Sequence, residues 1–350
     1  MNEMSQSMSQ THMKREVAEI PAATRRLLTE GGRAIAAAAD ALRAANPNFM
    51  VTIARGSSDH AATYFKYCCE LILRLPVASV GPSIASIYGV DLRLGRAGVI
   101  TISQSGKSPD IVAMLESAAA SGATSIAITN TAGSPLARAA GHVVDILAGT
   151  EHSVAATKTF VTSAVAGLAI VADWANDVAL KTALDRLPND LEAALDCDWS
   201  ALVEALDGHN SLFVLGRGPG AAIASEAALK FKETSGLHAE AYSTAEVLHG
   251  PAAIVRDGFP VLALCSADKA RASILETCAR LAGQGGAVFV TDPDPEPDGG
   301  TPLPSARTGH PLTDPIAEVV SFYSFIEALA RHRGFNPDTP PHLRKETSTL

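Results

Sequence analysis

Three short apolar runs in the first half of the chain return in the second half at one spacing. Met50-Val51-Thr52-Ile53-Ala54-Arg55-Gly56 matches Leu212-Phe213-Val214-Leu215-Gly216-Arg217-Gly218, and Arg55 and Arg217 lie 162 residues apart (217 minus 55). The same spacing carries Val99-Ile100-Thr101-Ile102 onto Val261-Leu262-Ala263-Leu264. It also carries Ile126-Ala127-Ile128-Thr129-Asn130 onto Val288-Phe289-Val290-Thr291-Asp292. Short apolar runs without polar alternation are the pattern of strands covered on both faces. Each is followed by a helical stretch, so each half reads as strand, helix, strand, helix, strand. Chance matching explains one such pair but explains poorly three with a shared spacing and a shared Arg-Gly. The pattern predicts an α/β fold of two tandem doubly wound parallel sheets, flavodoxin-like, with right-handed crossovers.

The rest of the pattern sets the boundaries. Residues 1 to about 12 are polar and rich in Ser, Gln and Met, which predicts disorder. Helical stretches follow over residues 14–29 and 33–45, the second rich in alanine. Residues 1–45 therefore read as a disordered end plus a helical arm, 46–172 as the first sheet domain, and 173–206 as a helical connector. Residues 207–334 read as the second sheet domain and 335–350 as a C-terminal tail. The run 292–305 is rich in Pro, Gly and Asp and reads as loop.

Composition narrows the function classes. The 350 residues suffice for two domains of ordinary size. A net charge of −9 with only 5% aromatic residues disfavours nucleic-acid binding. A small phosphorylated ligand stays compatible, because it needs only a local field. The five cysteines, Cys68, Cys69, Cys197, Cys265 and Cys278, form no C-x-x-C pair, so a reducing cytoplasm is expected, with no disulfide framework or metal site. The first thirty residues hold no apolar run of signal-peptide type, and no membrane segment is expected.

The strongest candidate chemistry lies in Ser103-Gln104-Ser105-Gly106-Lys107-Ser108-Pro109-Asp110. It joins an apolar strand to a helix, where unpaired backbone N–H groups and the helix dipole favour an anion. Pro109 suits the first helical position and Ser108 can cap. Arg55-Gly56-Ser57-Ser58 stands at a second strand end and could meet the same anion. At the equivalent turn of the second half stands Cys265-Ser266-Ala267-Asp268. An aspartate there repels phosphate, so only the first copy is expected to bind it. The second half carries acid–base groups instead: Glu226, Lys230 and Glu233 on one helical stretch, then His238-Ala239-Glu240-Ala241-Tyr242 and Glu246-Val247-Leu248-His249-Gly250-Pro251. On spacing alone, Lys230 and Glu233 are a helix-surface ion pair, His249 a loop histidine and Lys345 a solvated tail residue.

Together these motifs resemble the sugar isomerase (SIS) family, and more closely the isomerase half of glucosamine-6-phosphate synthases and the related glucosamine-6-phosphate deaminases. The resemblance runs from about Met13 to Leu350. It implies two tandem SIS domains and a dimer whose active sites draw residues from both subunits. By motif, Ser103, Gln104, Ser105 and Ser108 hold the sugar phosphate, with Ser57 and Ser58 nearby. Val154-Ala155-Ala156-Thr157-Lys158 matches a sugar-contact segment, with Ala156 where serine is common, so Val154 and Ala156 join the substrate set. Glu233 falls on the proton-transfer glutamate and Lys230 on a lysine that positions substrate. His249 falls on a ring-opening histidine contributed by the neighbouring subunit, and Lys345 on a tail lysine that can form a Schiff base with a ketose.

The chain departs from the synthase pattern. It starts Met1-Asn2, without the synthase's glutaminase domain or its cysteine after the first methionine. Lys107 stands where synthases carry glutamate, Leu248 where they carry lysine, and the tail reads Arg344-Lys345-Glu346-Thr347-Ser348-Thr349-Leu350. The expectation is a cofactor-free glucosamine-6-phosphate deaminase acting as an aldose–ketose isomerase. A synthase-like enzyme using external ammonia, an amino-acid–sugar 6-phosphate deglycase and a non-catalytic phosphosugar sensor are the alternatives.

Overall fold

The computed structural model of the chain describes residues 10–292 and 299–345. Three helices open it: α1 (His12–Ala18), α2 (Ile20–Glu30) and α3 (Gly32–Ala45). The single helix expected over residues 14–29 is broken at Glu19. Pro21 lacks the N–H that would continue α1, and it stands in the first turn of α2, where that loss costs nothing. Of the expected disordered segment, residues 1–9 lie outside the described residues. Thr11 already caps α1, its hydroxyl accepting the Lys14 N–H.

The first half continues as β1 (Phe49–Ile53), α4 (Ser57–Ile72), β2 (Val77–Ser79), α5 (Ser83–Ser86), β3 (Ala97–Ile102), α6 (Pro109–Ala120), β4 (Thr124–Thr129), α7 (Pro135–Ala139) and β5 (His142–Asp145). Three helices, α8 (Lys158–Ala175), α9 (Val178–Leu195) and α10 (Ser200–Ala205), lead to the second half. That half is β6 (Ser211–Gly216), α11 (Pro219–Ser235), β7 (His238–Ser243), β8 (Pro260–Ala263), α12 (Arg271–Gly283), β9 (Ala287–Val290), β10 (Thr301–Pro302) and α13 (Asp314–His332).

Each half builds one parallel sheet, ordered β2-β1-β3-β4-β5 and β7-β6-β8-β9-β10. Both are the flavodoxin-like order, and the paired strands β1/β6, β3/β8 and β4/β9 keep the spacing seen in the sequence. The likeness reaches the backbone: Gly56 (φ 55°, ψ −135°) and Gly218 (φ 57°, ψ −132°) turn the chain identically from strand to helix. Each sheet has five strands rather than the three expected. The additional ones, β2, β5, β7 and β10, are the outer strands: β2, β5 and β10 are short, and in β7 polar residues such as His238 and Glu240 hide the apolar signal. β10 also corrects the expectation that residues 292–305 are loop throughout.

Alternate residues of each strand serve different cores. In the first sheet, Val51, Ile53, Val99 and Ala127 pack outward against α6 and α7. Met50, Ile100, Ile102, Ile126 and Ile128 face inward. In the second sheet, Phe213, Leu215, Val261 and Val290 pack outward against α12, while Leu212, Val214, Leu262 and Phe289 face inward. The inward faces of both sheets meet one shared helical layer, in which α4 packs on α11 and α11 on α13.

α8 runs through this layer and is mostly apolar. By length and composition it is long enough to cross a membrane, which the sequence reading did not anticipate. Here it is a core helix: every residue from Lys158 to Ala172 is buried.

Candidate functional site

The turn after β3 forms as its sequence requires. Gly106 takes φ +62°. A Cβ built there would lie 2.2 Å from Ser134 Oγ, so both the backbone angle and the space demand glycine. Gly106 N–H donates to Ser103 Oγ at 3.2 Å and Lys107 N–H to Ser105 Oγ at 3.3 Å. Ser108 stands at the N-cap of α6, but its side chain makes no capping bond. It faces the cavity instead. Gly106→Ala is expected to cost about 1–3 kcal/mol of stability, read by thermal melts.

Arg55, just after β1, ties the two serine-bearing turns together. Its guanidinium grips the fully buried Asp110 through Nε (2.9 Å) and Nη2 (2.8 Å). These two bonds, both to Asp110 Oδ2, fix Arg55-Gly56-Ser57-Ser58 against the start of α6. Both turns line one cavity of about 360 Å³, together with Glu151, Val154, Ala156, Thr159, Glu233 and Lys345.

The second half reaches this cavity through α11. Glu226, Lys230 and Glu233 follow one another at helical spacing and share a face. Lys230 is fully buried, and its ammonium meets Ser57 Oγ at 2.9 Å, Glu233 Oε2 at 2.5 Å and Glu226 Oε1 at 3.2 Å. Glu226 is buried as well and is bridged by His60 Nδ1 and the Tyr323 hydroxyl, each at 2.9 Å. Burial alone would drive Lys230 toward neutrality, yet the two carboxylates hold its pKa above the ordinary lysine value. Burial likewise opposes ionisation of Glu226, and Lys230, His60 and Tyr323 overcome it, lowering its pKa. Lys230 does not line the cavity. It orients Glu233 and Ser57, which do.

From the opposite side comes Lys345. Its ammonium meets Glu151 Oε2 at 2.6 Å and the Ser153 carbonyl at 2.7 Å. Glu151 is buried and also accepts Thr157 N–H, Thr159 N–H and the Thr159 hydroxyl. Burial works against its charge, but Lys345 and Thr159 outweigh burial and lower its pKa.

His249 is elsewhere. It is exposed, in a separate depression with Arg217, Thr244 and Arg280. The sequence reading missed Glu151, and it gave Asp110 no part in holding Arg55 and Glu226 no part in holding Lys230. For Glu226 the heptad-like spacing to Lys230 and Glu233 was a usable signal; for Glu151 spacing offered none.

The equivalent turn of the second half already carries an anion. Ala267 N–H donates to Asp314 Oδ2 at 3.1 Å, and Thr308 N–H to Asp314 Oδ1 at 2.9 Å. Asp268 itself turns away to accept the Ala270 N–H. Ser266 Oγ, at the position matching Gln104, donates to Glu318. Burial pushes Glu318 up to about 8, with Arg307 partly opposing and Asp314 adding to the rise. A folded-state pKa above the unfolded value means stability is lost as pH rises from about 4.3. The loss is complete only above about 8. Glu318→Gln is therefore expected to be more favourable relative to wild type at pH 8.5 than at pH 5, by on the order of 1 kcal/mol or more, in urea denaturation.

Comparison with known proteins gives this geometry a family. The SIS domain profile matches residues 45–172 and 206–291, more than half of the chain. The chain belongs to the SIS domain family. The glutamine–fructose-6-phosphate aminotransferase (isomerizing) of Symbiobacterium thermophilum is 34% identical over 322 residues, 85% of this chain and 51% of that protein. The chain thus spans about half the length of the curated relatives it matches. A candidate phosphosugar isomerase from Silicibacter pomeroyi DSS-3 superposes with a TM-score of 0.91 at 53% identity, over 94% of this chain and 100% of the other. The glucosamine-6-phosphate deaminase of Thermotoga maritima shares the fold, with a TM-score of 0.76 at 18% identity over 97% and 100% of the two chains. The two SIS copies meet at α4 and α11, and Ser57 from one touches Lys230 from the other. The cavity is therefore a product of both.

Proposed function

We propose that this SIS protein converts glucosamine 6-phosphate to fructose 6-phosphate and ammonia. One observation carries the reading: the hydroxyl-rich turn before α6, Glu233 and Lys345 line a single cavity. The phosphate docks on Ser103, Gln104, Ser105 and Ser108, with Ser57 and Ser58 beside it, and Val154 and Ala156 border the sugar. His249 of a second subunit assists ring opening, which makes the working form a dimer with shared sites. Glu233 takes the proton from C2 and returns it to C1 through an enolamine, leaving an imine at C2. Lys345, once it has given up its extra proton, exchanges with that imine and releases ammonia, and water then frees the ketose. These steps use side chains and water alone, and the cytoplasm suits the substrate.

The test is an assay of purified protein with glucosamine 6-phosphate. Ammonia and fructose 6-phosphate in equal amounts support the reading. Glucosamine 6-phosphate made from fructose 6-phosphate and ammonia, without the reverse flux, moves it to the synthase-like enzyme. Turnover only of an amino-acid–sugar 6-phosphate adduct moves it to a deglycase. Tight phosphosugar binding with no turnover of any of these sinks the enzymatic reading.

A further inference from the structure

Glu16 lies on α1 and is only 4% exposed. Its carboxylate accepts the backbone N–H of His152, and that of Ser153 at 3.2 Å. The next peptide holds the tail: its carbonyl, Ser153 O, accepts Lys345 Nζ at 2.7 Å, and its N–H, on Val154, donates to Asp338 O at 3.3 Å. The Asp338 carboxylate in turn accepts His12 N–H at 2.7 Å and Met13 N–H at 2.8 Å. One short helix thus grips both the loop beneath Lys345 and the chain that leads to it.

We propose that Glu16 is a positioning residue for Lys345. It seats residues 151–154 so that Glu151 and the Ser153 carbonyl hold the Lys345 amine at the cavity. This rests on the reading of Lys345 as the amine that meets the sugar carbonyl. Two adjacent backbone N–H groups converge on the Glu16 carboxylate, His152 N–H on Oε1 and Ser153 N–H on Oε2 at 3.2 Å and Oε1 at 3.4 Å, and a charged acceptor holds them more strongly than a neutral one. Burial raises its pKa, and the charge of Glu151 adds to the rise, while the two amides and Lys345 pull it down. A glutamine there leaves one neutral oxygen for both amides and puts an NH₂ where Oε2 accepts from Ser153, so the hold on the loop weakens. The phosphate turn is untouched.

The experiment is reductive trapping. Fructose 6-phosphate and borohydride are added to the full chain: the Lys345 amine adds to the ketone, water leaves, and hydride reduces the C=N bond to a stable secondary amine. Mass spectrometry reads the adduct, with Lys345→Ala as control. Glu16→Gln is expected to slow trapping about tenfold to hundredfold, the scale of a lost buried hydrogen bond to a charged group, while fructose 6-phosphate still binds. Glu16→Asp, which keeps an acceptor-only group, is expected to recover part of the rate. Trapping by Glu16→Gln at the wild-type rate overturns the proposal. So does loss of fructose 6-phosphate binding in that variant, which makes the role general support. If wild type itself does not trap, the Lys345 reading fails, and hydrogen exchange decides the seating. Faster exchange over residues 150–156 and 338–345 in Glu16→Gln upholds it, and unchanged exchange overturns it.

Discussion

Glu233→Gln is expected to lower the rate of ammonia and fructose 6-phosphate release by about 10²- to 10⁴-fold, the usual worth of a positioned general base. Glutamine keeps the shape of the side chain and one acceptor for Lys230, which retains Glu226 and Ser57 as partners. Only the ability to take a proton is lost. Affinity for fructose 6-phosphate is therefore expected to stay close to wild type, since the serine turn is untouched. Loss of turnover with binding retained identifies Glu233 as the base. Unchanged turnover excludes it and points to another cavity carboxylate, Glu151.

Lys230→Met has the largest expected effect on stability, a loss of about 3–5 kcal/mol, the range for breaking a buried ion pair by removing one partner. Methionine fills much of the space but leaves Glu226 buried without its ammonium, with only His60 and Tyr323 as partners. The pH dependence should change sign with it. In wild type the Glu226 pKa is lowered, so its contribution is present above the unfolded carboxyl value of about 4.3 and is lost as pH falls through the folded one. Without Lys230, burial dominates and the folded pKa rises. The variant is then most stable below about 4.3 and loses stability as pH increases through its new folded value. Chemical denaturation at pH 4.5 and 7.5 reads this directly: the gap to wild type should widen at the higher pH. A constant gap means the pair is electrostatically idle.

Much of the fold was legible because the sheets are buried on both faces. Continuous apolar runs mark β1, β3, β4 and their counterparts, and the common spacing doubled the evidence for each. The outer strands were illegible for the same physical reason in reverse. With an open edge, β7 tolerates His238 and Glu240, and its sequence looks like a polar motif. Pro21 marked a helix boundary that apolar spacing alone passed over. At the site, the serine turn and the Lys230–Glu233 face were readable because each is local in sequence. Glu151 to Lys345, Glu16 to Ser153 and Ser57 to Lys230 join residues far apart in the chain, and no periodicity encodes them. The burial of Lys230 was also hidden, since a lysine three residues from a glutamate on a helix usually sits in water.

Because the cavity is lined from both SIS copies, an occupant acts as a clasp between them. Its binding free energy is added to the association of the two copies rather than to either alone. A ligand that favours only the assembled form stabilises that assembly by the logarithm of its concentration over its dissociation constant. Such a ligand reinforces the seam between α4 and α11, where Ser57 meets Lys230. A duplicated chain with its ligand site inside either copy would have no such coupling. In this one, occupancy of the cavity and the integrity of the seam between the two copies are thermodynamically linked.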